Sequence, residues 1–150
     1  MKIDKPRAIE RAKWLASQRV PFVHQGRSLA GIDCVGALAW ILEYGDEIPV
    51  YPRDPVNGEL ERELEARLGP PVMEFSRAKR MREVDLMLIK PCDILSMQYA
   101  GPIRHVGFVV PNSAIAGALN IVHTDSDVGC TTECLFDEFW TRRIMKVWRP

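Results

Sequence analysis

The chain has 150 residues, 47% of them hydrophobic and 27% charged, ordinary values for one globular domain large enough to bury a real core. Twenty basic residues balance twenty acidic ones, which removes any bulk electrostatic case for nucleic acid or an anionic membrane surface as partner. No run approaches the ~18 apolar residues of a membrane span, and the charged start "MKIDKPRAIERAKW" lacks the apolar stretch of a signal peptide.

In chain order, Asp4 and Pro6 predict a first helix running to about Ser17, with Ile9, Ala12 and Ala16 on one face. "RVPFVHQGRSLAG" reads as a turn-rich connection. A second helix is expected from Asp33 or Cys34 to a left-handed stop near Gly45. Val35, Leu38, Ala39, Ile41 and Leu42 cover most of its circumference, which predicts a central, buried helix. Residues 46–91 are expected to form a surface insertion over the body. Within it "NGELERELEARLG" is an amphipathic helix with Leu60, Leu64 and Leu68 on one stripe. "SRAKRMREVD" is a short helix or exposed loop whose charges face solvent. From Pro91 onward "DILSMQY", "HVGFVV", "LNIVHT" and "RIMKVWR" predict short strands, with a helical turn in "LFDEFWTRR" before the last. Helices first and an antiparallel sheet afterwards make the fold class α+β, one domain over residues 1–150.

Cys34, Cys92, Cys130 and Cys134 are unevenly spaced in a chain too long to need disulfide staples, so free thiols are expected. Cys34 follows Asp33, a favoured N-cap residue. The helix start would favour its thiolate and offer its backbone N–H to an oxyanion. A thiol nucleophile needs a base, and His24, His105 and His123 are the histidines available. If Val110 pairs with Ala118 across the hairpin, His105 and His123 stand directly opposite one another, their Cβ atoms about 5 Å apart. Such a pair suits a base and the group that orients it.

"VPFVHQGRSLAGIDCVG", "KPCDILSM", "RHVGF" and "IVHTD" together resemble the NlpC/P60 family of papain-like cysteine peptidases, in its phage and gene-transfer-agent branch of tail-associated cell-wall enzymes. The likeness runs from about Ala12 to the end and is most specific at Asp33-Cys-x-Gly36 and His105-Val-Gly107. It implies a papain-like fold and a triad of Cys34 as nucleophile, His105 as general base and His123 as orienting residue. It also implies cleavage of amide bonds in peptidoglycan stem peptides, without metal or other cofactor. A virion tail tip, among tail-hub proteins, would be the setting for a chain made in the bacterial cytoplasm.

Three positions depart from the family pattern. Phe22 replaces a tyrosine whose hydroxyl lies near the oxyanion site, and His24 is the candidate to supply that hydrogen bond. Val35 replaces a serine beside Asp33, the aspartate that helps hold the stem peptide's amine. Cys92 stands where glycine is usual and reads as a buried structural thiol. Three rivals remain. A zinc site could gather Cys130, Cys134, His105 and His123, though the cysteine spacing is poor for it. A tail hub or plug with a masked or vestigial site could use the leucine helix and "YPRDP" as contacts. An amidase or acyltransferase could act on something other than cell wall.

Overall fold

Asp4 starts the first helix by accepting the Arg7 N–H at 3.1 Å, and with Pro6 in the opening turn α1 runs Lys5–Ser17. The computed structural model describes residues 1–45, 47–99 and 101–150; Asp46, first residue of the expected insertion, lies outside them. Ala8, Ala12, Leu15 and Ala16 form the inward stripe of α1, with Ile9 at its margin. The turn-rich connection folds into a small hairpin, β1 (Arg27–Ser28) and β2 (Gly31–Ile32).

Helix α2 spans Cys34–Ile41 and stops earlier than Gly45. The left-handed residue is Glu43, at φ +55°, and the Tyr44 N–H reaches back to the Ala39 carbonyl at 2.8 Å. Ion pairs from Arg7 (2.6 Å) and Arg11 (3.5 Å) tie Glu43 to α1. Burial of α2 is also one-sided. Leu38 and Ile41 are buried, but Val35, Ala39 and Leu42 are half-buried and line a cavity.

The segment after α2 does more than lie over the body. Helix α3 (Glu59–Leu68), closed by Gly69 at φ +82°, sends Leu60 and Leu64 into the helix-side core. Strand β3 (Met73–Glu74) forms one edge of the main sheet. Around the short α4 (Glu83–Leu86), Met81 and Ile89 enter a second core.

The expected strands are β4 (Ile94–Gln98), β5 (Arg104–Pro111), β6 (Leu119–Asp125) and β8 (Ile144–Trp148). A strand not foreseen, β7 (Cys130–Leu135), follows β6, and the predicted turn is α5 (Glu138–Thr141). They form a six-stranded antiparallel sheet in the order β3-β8-β4-β5-β6-β7. Alternation along the strands divides the apolar side chains between two cores. Val106, Phe108, Val110 and Val122 meet α1, α2 and α3. Leu95, Met97, Val109 and Ile121 meet Trp140, Phe136 and Met81 on the other face. The fold is therefore α+β, and no helix among the described residues is long and apolar enough to cross a membrane.

Candidate functional site at the start of α2 and the end of the sheet

The start of α2 is built on Asp33, which is 3% exposed. Its Oδ1 accepts the Gly36 N–H (2.8 Å) and Arg27 Nη1 (3.0 Å), and its Oδ2 accepts the Gln25 N–H (2.7 Å) and the Tyr51 hydroxyl (2.5 Å). The carboxylate thus joins helix cap, hairpin and the segment after α2. Both its oxygens are engaged within the fold. Gly36 is glycine for packing: a Cβ there would lie 2.2 Å from the Gly26 carbonyl oxygen.

Cys34 is half-buried in the first turn of α2. The backbone N–H groups of Val106, Val35 and Cys34 itself lie around its sulfur and pull the thiol toward ionisation. Those contacts favour the thiolate, but they lose. Burial, and then the Asp33 charge beside it, push the thiol up to about 12. The resting group is a neutral thiol, a correction to the helix-start expectation, because desolvation outweighs the partial charge of the helix end. No hydrogen bond joins Cys34 to His105 among the described residues.

The two histidines come together, though not in the expected register. Val110 pairs with Asn120 rather than Ala118. The Asn112 N–H donates to the Ala118 carbonyl at 2.9 Å, and the Asn112 side-chain oxygen accepts from the Ala114 and Ile115 N–H groups to close the loop. The shift is two residues, so both histidines keep their face and become diagonal neighbours. His105 Nε2 and His123 Nδ1 lie 3.0 Å apart, both rings buried. The β5–β6 ladder stops at Phe108 and Val122, short of the histidines, and frees the start of β5 to meet Cys34. Gly107 lies between: a Cβ there would press on Ile121 (2.7 Å) and Met97 (3.1 Å). Burial lowers both imidazoles, His105 to about 3 with a further push from His123, while Asp125 opposes the shift.

Tyr99, Asp125 and Trp140, not singled out from the sequence, complete the surroundings together with Cys134, considered there as a zinc ligand. Tyr99 lies 5.2 Å from the His105 ring and donates its hydroxyl to the buried Asp125. Trp140 meets His123 edge-on at 4.8 Å, and Cys134 Sγ lies 3.6 Å from His123 Nε2. Cys130 sits farther along β7, level with Asp125. The sequence signals for these were weak: Asp125 in "IVHTD", and the paired threonines of "CTTECL".

Cys34 and His105 reach this end of the sheet from opposite faces, and both line one cavity of about 460 Å³. Phe22, His24 and Asp33 line it too. The His24 ring stands edge-on to Tyr51 at 5.6 Å, with Nδ1 3.9 Å from Asp33, and Phe22 is half-buried under Arg53. Tyr51 also lines the cavity, and its hydroxyl is engaged by Asp33 and Arg27. A neutral thiol and a neutral imidazole in one cavity, with first-turn N–H groups beside the sulfur, can support acyl transfer. Neither the models of known protein families nor the curated proteins give a match to this chain.

Proposed function

We propose that this protein is a cysteine peptidase or amidase of papain-like fold that hydrolyses amide bonds in peptidoglycan stem peptides. The observation that carries the reading is Cys34, at a helix start, sharing a cavity with a buried His105–His123 pair. The sequence likeness to the NlpC/P60 peptidases supplies the substrate, and the phage branch of that family supplies the setting, a tail tip among hub proteins.

In this mechanism the Cys34 side chain turns toward His105 Nδ1. Its thiol attacks the amide carbonyl as the proton passes to His105. The N–H groups of Cys34 and Val35 receive the oxyanion. His105 then returns the proton to the departing amine, and water hydrolyses the thioester with His105 again as base. His123 and the Asp125 carboxylate stabilise the transient imidazolium. Because thiol and imidazole both start neutral, attack and proton transfer are coupled.

The test is release of stem-peptide fragments from purified peptidoglycan, read by mass spectrometry. Wild type should release them, and Cys34→Ala should lose at least about a thousandfold in rate with an unchanged melting curve. Equal inertness of both proteins would favour a hub or plug role.

A second reading is favoured by the cavity wall, where Val35, Leu38 and Leu42 of α2 face Leu60, Leu64 and Leu68 of α3. That wall suits an acyl group with an apolar chain, which would make the protein a thiol acyl-hydrolase or acyltransferase. Ester hydrolysis that rises with chain length, without release from peptidoglycan, would select this reading.

A further inference from the structure

The hydrogen-bond chain behind His105 has a direction, and its far end lies on β7. Distance alone allows either ring to donate between His105 Nε2 and His123 Nδ1, 3.0 Å apart. On the other side of His123, Nε2 lies 3.6 Å from Cys134 Sγ, and the Cys134 thiol donates to the Ile121 carbonyl oxygen at 3.7 Å. A carbonyl oxygen can only accept, whereas a ring nitrogen can take either role. With its one proton directed to Ile121, the sulfur offers His123 only lone pairs. Nε2 of His123 is then the N–H. A neutral imidazole carries a single N–H, so His123 Nδ1 accepts and His105 donates through Nε2. The remaining nitrogen, His105 Nδ1, keeps its lone pair and makes no hydrogen bond among the described residues.

We propose that Cys134 is a positioning residue which, acting through His123, fixes the tautomer of His105 so that Nδ1 is the free base facing the cavity. Burial supports the premise that each ring holds one proton, since it keeps both imidazoles neutral near pH 7. It also pushes the Cys134 thiol up to about 11, so the S–H is present. The reverse assignment would aim the thiol at His123, leave sulfur and Ile121 oxygen lone pair to lone pair, and give His105 a proton at Nδ1. Such a ring could not accept a proton from Cys34. The use of the base rests on the proposed hydrolysis; the tautomers themselves do not.

The experiment is nitrogen-15 NMR of the histidine rings at neutral pH, without substrate, in wild type, Cys134→Val and Cys134→Ser. Wild type should show both His105 and His123 protonated at Nε2 only. Cys134→Val, a buried side chain without a thiol, should shift His123 to a mixture of tautomers. Cys134→Ser, whose hydroxyl can donate and accept, should restore the single form. A wild-type His105 protonated at Nδ1 overturns the proposal without any variant. So does a Cys134→Val protein with both rings unchanged. A chain inert toward peptidoglycan yet showing the expected tautomers would remove only the proposed activity.

Discussion

At Cys34 two opposing effects act on one sulfur, and burial with the Asp33 charge beats the three N–H groups around it. A thiol held up to about 12 has no thiolate fraction near neutrality. Alkylation of Cys34 by iodoacetamide should therefore keep rising through pH 9, with no plateau between pH 5 and 7. A plateau there would mean a preformed thiolate–imidazolium pair. The histidines make a stability prediction of defined sign. His105 falls from 6.5 to about 3 on folding, so its contribution is complete above pH 6.5 and is lost as pH falls toward 3. Denaturant melts should lose on the order of a few kcal/mol across that window, and His105→Asn should flatten this limb. Side-chain identity was largely readable at this scale; conformation was not. Cys92, read as a buried thiol ahead of a strand, is buried just before β4 but holds φ +74°. The position favours glycine, which the resembled family carries there. No local pattern announces that angle once a side chain is present.

Among the elements, the start of α2 depends on close backbone approach. Gly36→Ala would set a Cβ 2.2 Å from the Gly26 carbonyl and 2.8 Å from Arg27 Nη1. The helix would have to move off its hairpin, at a cost of about 2–3 kcal/mol, measurable as a lower urea midpoint. Cys34 alkylation would change with it, since the same turn positions the sulfur. An unaltered midpoint would mean that the hairpin gives way freely. Long periodic elements such as α1 and α3 were legible because capping and apolar spacing agree. The β5–β6 register was not, because Asn112 closes the loop by its own side chain, a choice that strand alternation does not encode. Strand β7 was hidden by its polarity. It is held by a buried Thr124–Thr131 contact at 2.7 Å and by Glu133, which meets Lys13 of α1.

Across the whole molecule, two apolar cores grip one sheet, and the chain's last residues lock its central strands. Asp93, fully buried before β4, receives Arg149 through Nε and Nη2, both at 2.8 Å, and the Lys90 N–H. Arg149→Ala leaves that carboxylate with the Lys90 N–H alone and should cost about 3 kcal/mol, the low end for uncovering a buried ion pair. A thermal melt matching wild type would show that water replaces the arginine without loss. The α+β class followed from the order of element types, but the role of residues 46–91 did not. Their irregular composition suggested surface, yet they give the sheet an edge and the cavity a wall. The proposed chemistry is tested most directly by acid-quenched intact-mass spectrometry of the protein mixed with stem-peptide substrate, followed by peptide mapping. The prediction is a substrate-derived acyl mass on Cys34 alone, absent from Cys34→Ala. Products released at the wild-type rate by Cys34→Ala, or an adduct on another cysteine, would contradict it.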